Sequence, residues 1–172
     1  MPKALTAAHA KIAVGRIMAD DPARTIHDVA EILSVSTERL DETLAEVGAS
    51  FSGIAAKFRE LDGQKWKDTY IKVRGIIRSA PRVRYLDPGE VAAQAGVSAT
   101  TINRHLSAIG VNYQTLVIAR KFCKMHEFWQ ANPGATVCEL MAKSEYTCSH
   151  SFYFAFGNWH GVTFRDYRAG IL

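Results

Sequence analysis

Six polar residues have side chains that can contact DNA bases, and they lie in a stretch whose apolar positions follow a helical period. They are Ser98, Thr100, Thr101, Asn103, Arg104 and His105. In the major groove an arginine can donate two hydrogen bonds to guanine, and an asparagine can form two hydrogen bonds with adenine. We therefore expect Arg104 and Asn103 to contact base edges. The threonines and His105 are expected to position the helix, and Lys124 is a candidate phosphate contact.

A second polar set lies near the carboxyl end of the chain and carries no fixed charge. It consists of Ser149, His150, Ser151 and Tyr153. Hydroxyl and imidazole groups can donate hydrogen bonds to phosphates or bases. These residues are predicted to form a second DNA contact, which discriminates between bases less strongly than Arg104 does.

An acidic set occupies the equivalent part of the amino-terminal region. It contains Glu38, Asp41, Glu42 and Glu46. Carboxylates beside phosphates repel them and oppose entry into a DNA groove. This set is therefore predicted to contact protein: a second copy of the chain, its own basic region, or another transcription component.

Charge is distributed unevenly along the 172 residues. Residues 1–62 hold 7 basic and 10 acidic side chains, whereas residues 63–172 hold 14 basic and 7 acidic ones. A basic excess of this kind favours a polyanionic partner such as double-stranded DNA. We expect the segment 80–172 to bind duplex DNA by itself, with an affinity that falls steeply with salt.

The sequence contains no motif that predicts an enzyme. Cys123, Cys138 and Cys148 form no CxxC pair, and the six histidines lack the spacing of metal ligands. A glycine-rich phosphate loop is also missing, so we expect no catalytic residue, cofactor, metal or small-molecule ligand. With 48% apolar and 22% charged residues, the chain is predicted to be a globular cytoplasmic protein without a membrane span.

The polar and acidic sets lie in corresponding parts of an internal repeat. At a shift of 62 positions, residues 29–51 align with residues 91–113 without a gap and share six identical residues. A fainter third copy aligns at a shift of 111, which pairs Thr25 with Thr136. An insertion of one residue then pairs Leu40 with Phe152. Repeats of this length indicate a recurring supersecondary unit.

Each copy has the pattern of two short helices around a tight turn. In the second copy, Pro88 can begin the first helix, Gly96 can form the turn and Ser98 can cap the second helix. The predicted fold class is all-α, with three tandem helix-turn-helix units joined by longer linker helices. The predicted domains are an acidic unit at 1–62, a linker helix at 63–82 and a DNA-binding domain at 83–172. That last domain would contain units at 83–116 and 133–169, joined by a helix at 117–131.

The second half of the chain also contains a signature of aromatic, glycine and small residues. Its carboxyl-terminal part is Tyr146-Thr147, Phe152, Phe156, Gly161 and Tyr167-Arg168; its first part is Ala92, Gly96-Val97-Ser98, Arg104, Leu106, Gly110 and Arg120. With these residues, positions 83–169 resemble the DNA-binding domain of AraC-type transcription regulators. The resemblance implies two helix-turn-helix units that bind DNA. Three positions depart from the signature: Glu145 replaces its turn glycine, Phe154 an arginine, and Phe164 a proline.

These patterns together favour a sequence-specific, double-stranded DNA-binding regulator of transcription, with activation as the expected direction. RNA polymerase or another regulator is an expected protein partner, and self-association through residues 1–62 is a further expectation. The alternative is a helical adaptor or anti-regulator that binds another transcription component.

Overall fold

Helices account for the regular structure of the chain in a computed structural model, which describes residues 6–59 and 65–171. Within these residues there are eleven α-helices and one 3-10 turn, with no strand, so the all-α prediction is confirmed. The helices are α1 (Ala7–Asp20), α2 (Ile26–Ile32), α3 (Thr37–Ala45), α4 (Phe51–Arg59), α5 (Lys65–Ser79), α6 (Pro88–Ala95), α7 (Ala99–Ala108), α8 (Tyr113–Ala131), α9 (Val137–Lys143), α10 (Ser149–His160) and α11 (Phe164–Ile171); the 3-10 turn is Val83–Tyr85.

Two compact units divide the chain. We call residues 57–145 the central unit, and residues 1–56 together with 146–172 the terminal unit. This division differs from the predicted domain ranges, because the predicted DNA-binding domain at 83–172 is split after Glu145. The predicted boundary at 62/63 lies outside the described residues.

The helix α5 is a structural part of the central unit rather than a linker. It packs against α6 and α7, and it buries Tyr70, Val73 and Ile77. Large apolar side chains at this helical spacing form one continuous buried face. A segment beginning at residue 80 therefore lacks a helix on which α6 and α7 pack, so DNA binding is best tested on the full chain.

The three predicted copies begin their first helices in the same way. Thr25, Asp87 and Thr136 are the N-caps of α2, α6 and α9, and each side chain accepts a hydrogen bond from a backbone N–H of the first turn. In α2 and α9 the residue at the third helical position is acidic, and its carboxylate accepts a hydrogen bond from the backbone N–H of the cap residue: Asp28 from Thr25, and Glu139 from Thr136. These reciprocal bonds satisfy N–H groups that have no partner inside the helix.

The turns between the paired helices also share a backbone conformation. Ser34, Gly96 and Glu145 all have positive φ, at 54°, 72° and 57°. These residues occupy equivalent positions in the repeat alignment, and each lets the chain leave one helix and enter the next. The recurrence of caps and turns supports the internal repeat. The interpretation of the pairs as tandem helix-turn-helix units stays a prediction.

Aromatic rings form much of the core of the terminal unit. Phe156 lies edge-on to Phe164 and Tyr167 and stacks on the buried His160 with ring centroids 3.8 Å apart. The Tyr167 hydroxyl donates a hydrogen bond to the Ile32 carbonyl. This bond and the contacts of α1 with α3 and α10 join the amino-terminal helices to the carboxyl-terminal ones.

Candidate nucleic-acid interface

The helix α7 presents a polar surface because its large apolar residues lie on the opposite face. Ile102 and Leu106 are buried, whereas Thr100, Asn103 and Arg104 are exposed. Ile102 and Leu106 are four residues apart, and Asn103 and Arg104 follow Thr100 by three and four residues, so the two sets lie on different faces of an α-helix. The predicted base-contacting residues therefore lie side by side on the exposed face.

The amino-terminal end of α7 is fixed by a cap. The Ser98 hydroxyl oxygen accepts a hydrogen bond from the Thr101 backbone N–H at 3.0 Å, and the hydroxyl groups of the two residues lie 2.9 Å apart. Both side chains are therefore engaged in holding the helix start. These bonds restrain the first turn of α7 within the protein itself, which reduces the entropy lost on binding.

His105 has a different environment from the one predicted. It is half-buried, and its Nδ1 lies 2.8 Å from the hydroxyl oxygen of the buried Thr69. Thr69 belongs to α5, so this hydrogen bond attaches α7 to the helix behind it. This bond positions α7 within the central unit, and a contact of His105 with DNA stays a prediction.

Arg104 and Asn103 keep their side-chain donors available. Neither side chain forms a hydrogen bond or ion pair with any residue in the described part of the chain. An exposed guanidinium group without a carboxylate partner retains its full donor capacity for a ligand. This is the condition that a bidentate contact with guanine requires.

The second polar set is exposed but belongs to the other compact unit. Ser149, His150, Ser151 and Tyr153 all face solvent in the first turns of α10, and α10 is part of the terminal unit. Phe154, at the position where the family signature has an arginine, is also exposed. The structure therefore gathers each predicted set on its own helix and places the two sets in different units.

The acidic set lies on α3, in the same unit as α10. Glu38, Asp41, Glu42 and Glu46 are all exposed. Arg39 contacts Glu42 at 3.4 Å, with both side chains more than half exposed, so this pair contributes little to stability. The four carboxylates thus remain an accessible acidic face.

Charge separates strongly between the two units. The central unit spans 14 basic and 8 acidic residues, a balance of +6, and the terminal unit spans 7 basic and 9 acidic residues, a balance of −2. The polar face of α7 therefore belongs to the basic unit. An excess of cations around a donor-rich helix suits a polyanionic ligand.

Lys124 forms a network that sequence reasoning missed. Its ammonium group donates to the Glu145 carboxylate at 2.7 Å and to the Pro81 carbonyl at 3.2 Å. The same carboxylate accepts the backbone N–H groups of Val83 and Arg84 at 3.1 and 2.7 Å. Two of the three ammonium donors of Lys124 are thus engaged within the central unit, and its contact with phosphate stays a prediction. The one signal in the sequence was an acidic residue at a position where the family signature has glycine.

The electrostatics of Glu145 result from two opposing effects. Burial alone would raise the pKa of this carboxyl group, but the hydrogen bonds from Lys124, Arg84 and Val83 outweigh burial and hold the pKa below its ordinary value. Glu145 is therefore ionised near neutral pH and stabilises the turn at residues 83–85.

No group of three or more histidine, cysteine or acidic side chains within the described residues is arranged to hold a metal ion. In the same part of the chain, no helix is long and apolar enough to cross a membrane. No family model, curated protein or solved structure matches the sequence. The similarity to AraC-type domains therefore rests on the motif residues themselves.

Proposed function

We propose that the protein is a sequence-specific, double-stranded DNA-binding regulator of transcription, in which α7 reads bases in the major groove. The observation that supports this most directly is the exposed face of α7, where Asn103 and Arg104 have no partner among the described residues. This face belongs to a unit with a charge balance of +6. Phosphate attraction supplies affinity, and the two side chains supply base choice.

The second polar set has an auxiliary role in this proposal. Ser149, His150 and Ser151 can donate hydrogen bonds to phosphate or base edges, but they bring no fixed charge. Their helix belongs to the terminal unit, whose balance is −2. We therefore assign most of the salt-dependent affinity to the central unit and a refinement of base choice to α10.

The experiment begins with selection of duplexes from a random library by the full chain. Binding constants are then measured on the selected site and on a scrambled duplex. Arg104→Ala is expected to weaken binding to the selected site by about 1–3 kcal/mol and to relax the preference at one base pair. The matched control is Arg39→Ala, which also removes one positive charge but lies on the acidic α3 face.

The results distinguish a base contact, a phosphate contact and no DNA contact by α7. If Arg104→Ala weakens both duplexes equally, Arg104 contacts phosphate and the assignment of base reading is wrong. If the full chain binds no duplex at low salt, DNA binding itself is refuted.

A second candidate function is that of a protein-binding adaptor, favoured by the exposed carboxylates of α3. Under this hypothesis the acidic face contacts a basic protein surface, such as part of a transcription complex. The double variant Glu38→Lys plus Glu42→Lys should then abolish regulation in cells while leaving the base preference on the selected duplex unchanged. Unaltered regulation would show that the face is only solvated.

A further inference from the structure

The turn at Val83–Tyr85 carries exposed side chains that resemble a binding surface. Arg82 and Arg84 are exposed, and Tyr85 keeps 64% of its surface in solvent. The Arg84 guanidinium carbon lies 5.5 Å from the centre of the Tyr85 ring. A cation over an aromatic ring presents both charge and a flat apolar surface to a ligand.

The backbone of this turn is held from several directions. Val83 is buried, and the Glu145 carboxylate binds the N–H groups of Val83 and Arg84. On the other side the Tyr113 hydroxyl donates to the Leu86 carbonyl at 3.0 Å. A turn fixed in this way loses little conformational freedom when its exposed side chains bind a partner.

Positive charge is concentrated beside the turn. Lys121 is half-buried, and burial is the main cause that lowers its pKa; the positive charge of Arg84 lowers it further, while Glu145 raises it. Neighbouring like charges repel each other, and a bound anion relieves that repulsion. With Arg82, three cationic side chains belong to this region. The carboxylates near the turn already accept backbone hydrogen bonds: Glu145 from Val83 and Arg84, and Asp87 from the first turn of α6.

The position of the turn indicates which part of DNA it would meet. Tyr113 is the first residue of α8, five residues after the end of α7, so its hydrogen bond ties the turn to the segment following α7. A helix of ten residues is about 15 Å long, and the major groove is about 12 Å wide. With Arg104 at base edges, we therefore expect the turn to face the backbone that borders the groove.

We propose that Arg82, Arg84 and Tyr85 bind the DNA sugar-phosphate backbone beside the groove that α7 enters. This inference rests on the proposed function and adds a sequence-independent contact to it. The arginines pair with phosphates, the Tyr85 ring packs on a sugar, and Glu145 acts only by holding the turn.

The test compares Arg84→Ala, Tyr85→Ala and the control Arg39→Ala in the full chain. Loss of one phosphate contact reduces the slope of log affinity against log salt by about 0.9, which corresponds to about fivefold weaker binding at roughly 0.15 M salt. Arg84→Ala is expected to show this loss equally on the selected and scrambled duplexes. Tyr85→Ala is expected to weaken both duplexes without changing the slope. Thermal unfolding should stay unchanged, because both side chains are exposed.

The outcomes distinguish this inference from the function on which it rests. If Arg84→Ala and Tyr85→Ala bind like the parent while Arg104→Ala loses base preference, the turn is not a DNA contact and the proposed function stands. If the parent binds no duplex, both proposals are overturned. Binding of a poly-glutamate peptide that Arg84→Ala abolishes, without any duplex binding, would instead assign the surface to an acidic protein.

Discussion

Replacing Glu145 by alanine removes a carboxylate that accepts three hydrogen bonds in the central unit. The donors are the Lys124 ammonium group and the backbone N–H groups of Val83 and Arg84. The Glu145 side chain is only 13% exposed and that of Lys124 24%. The contact is therefore far better shielded from water than an ordinary surface ion pair.

The expected cost of Glu145→Ala is about 3 kcal/mol. A hydrogen bond to a charged group contributes about 1.5–3 kcal/mol, and a buried donor left without a partner costs about 1–3 kcal/mol. The Arg84 N–H is exposed to water and adds little. The contributions of Lys124 and Val83 overlap, because both depend on the same carboxylate.

The variant Glu145→Gly distinguishes two contributions to the unfolding free energy: the hydrogen bonds of the carboxylate and the strain of the backbone. Glu145 has φ of +57°, a conformation that costs an L-residue about 1–2 kcal/mol and glycine very little. Glu145→Gly should therefore lose about 2 kcal/mol and be about 1 kcal/mol more stable than Glu145→Ala. The control Glu42→Ala removes a carboxylate from an exposed pair and should cost less than about 1 kcal/mol.

The assay is urea unfolding followed by far-UV circular dichroism across a pH series. Because the folded pKa of Glu145 lies below its ordinary value, its stabilisation is present above about pH 4.3 and disappears as the pH falls through the folded pKa. The parent and Glu145→Ala should therefore converge in acid. A Glu145→Gly variant as stable as the parent at pH 7 would refute the reasoning, since the carboxylate would then contribute no more than it costs in strain.

Two further predictions concern the terminal unit. Gly161→Ala should cost about 3 kcal/mol of unfolding free energy, because φ is +72° and the added Cβ would lie 2.7 Å from the His9 Cβ. The control Gly110→Ala, in the central unit, has φ of +79° and open space around the added Cβ, so it should cost only about 1 kcal/mol. Equal costs in urea unfolding would show that His9 moves away. Tyr167→Phe should cost about 1–2 kcal/mol by leaving the Ile32 carbonyl without its donor. An unchanged melting temperature would show that water replaces the hydroxyl.

Much of the local structure could be predicted from the sequence, because it depends on residues close together in the chain. Gly96 and Ser98 mark the turn and the cap between α6 and α7, and the apolar spacing of Ile102 and Leu106 places Arg104 on the exposed face. These features require only short-range hydrogen bonds and helical periodicity. The all-α class follows from the same information.

The long-range contacts could not be predicted in this way. The Glu145 carboxylate binds N–H groups 61 and 62 residues away, and no local pattern specifies such a partner. The helix predicted at 63–82 is present as α5 (Lys65–Ser79), but its packing against α6 and α7 joins segments that are distant in the sequence. His105 faces Thr69 on α5, so its role as a core contact also depends on tertiary packing.

The two units differ in charge, and under the proposed function this difference assigns DNA affinity and base preference to different groups of residues. Counterion release depends on the number of cations that meet phosphates, and 14 of the 21 basic residues belong to the central unit. The polar set of α10 has no fixed charge, so the proposed DNA contact by this set would change which sequence is preferred without changing the salt dependence. The acidic face of α3 belongs to that same terminal unit and would oppose close approach to phosphate. Under the proposed function, the protein partner of α3 can therefore change while the affinity set by the central unit stays constant.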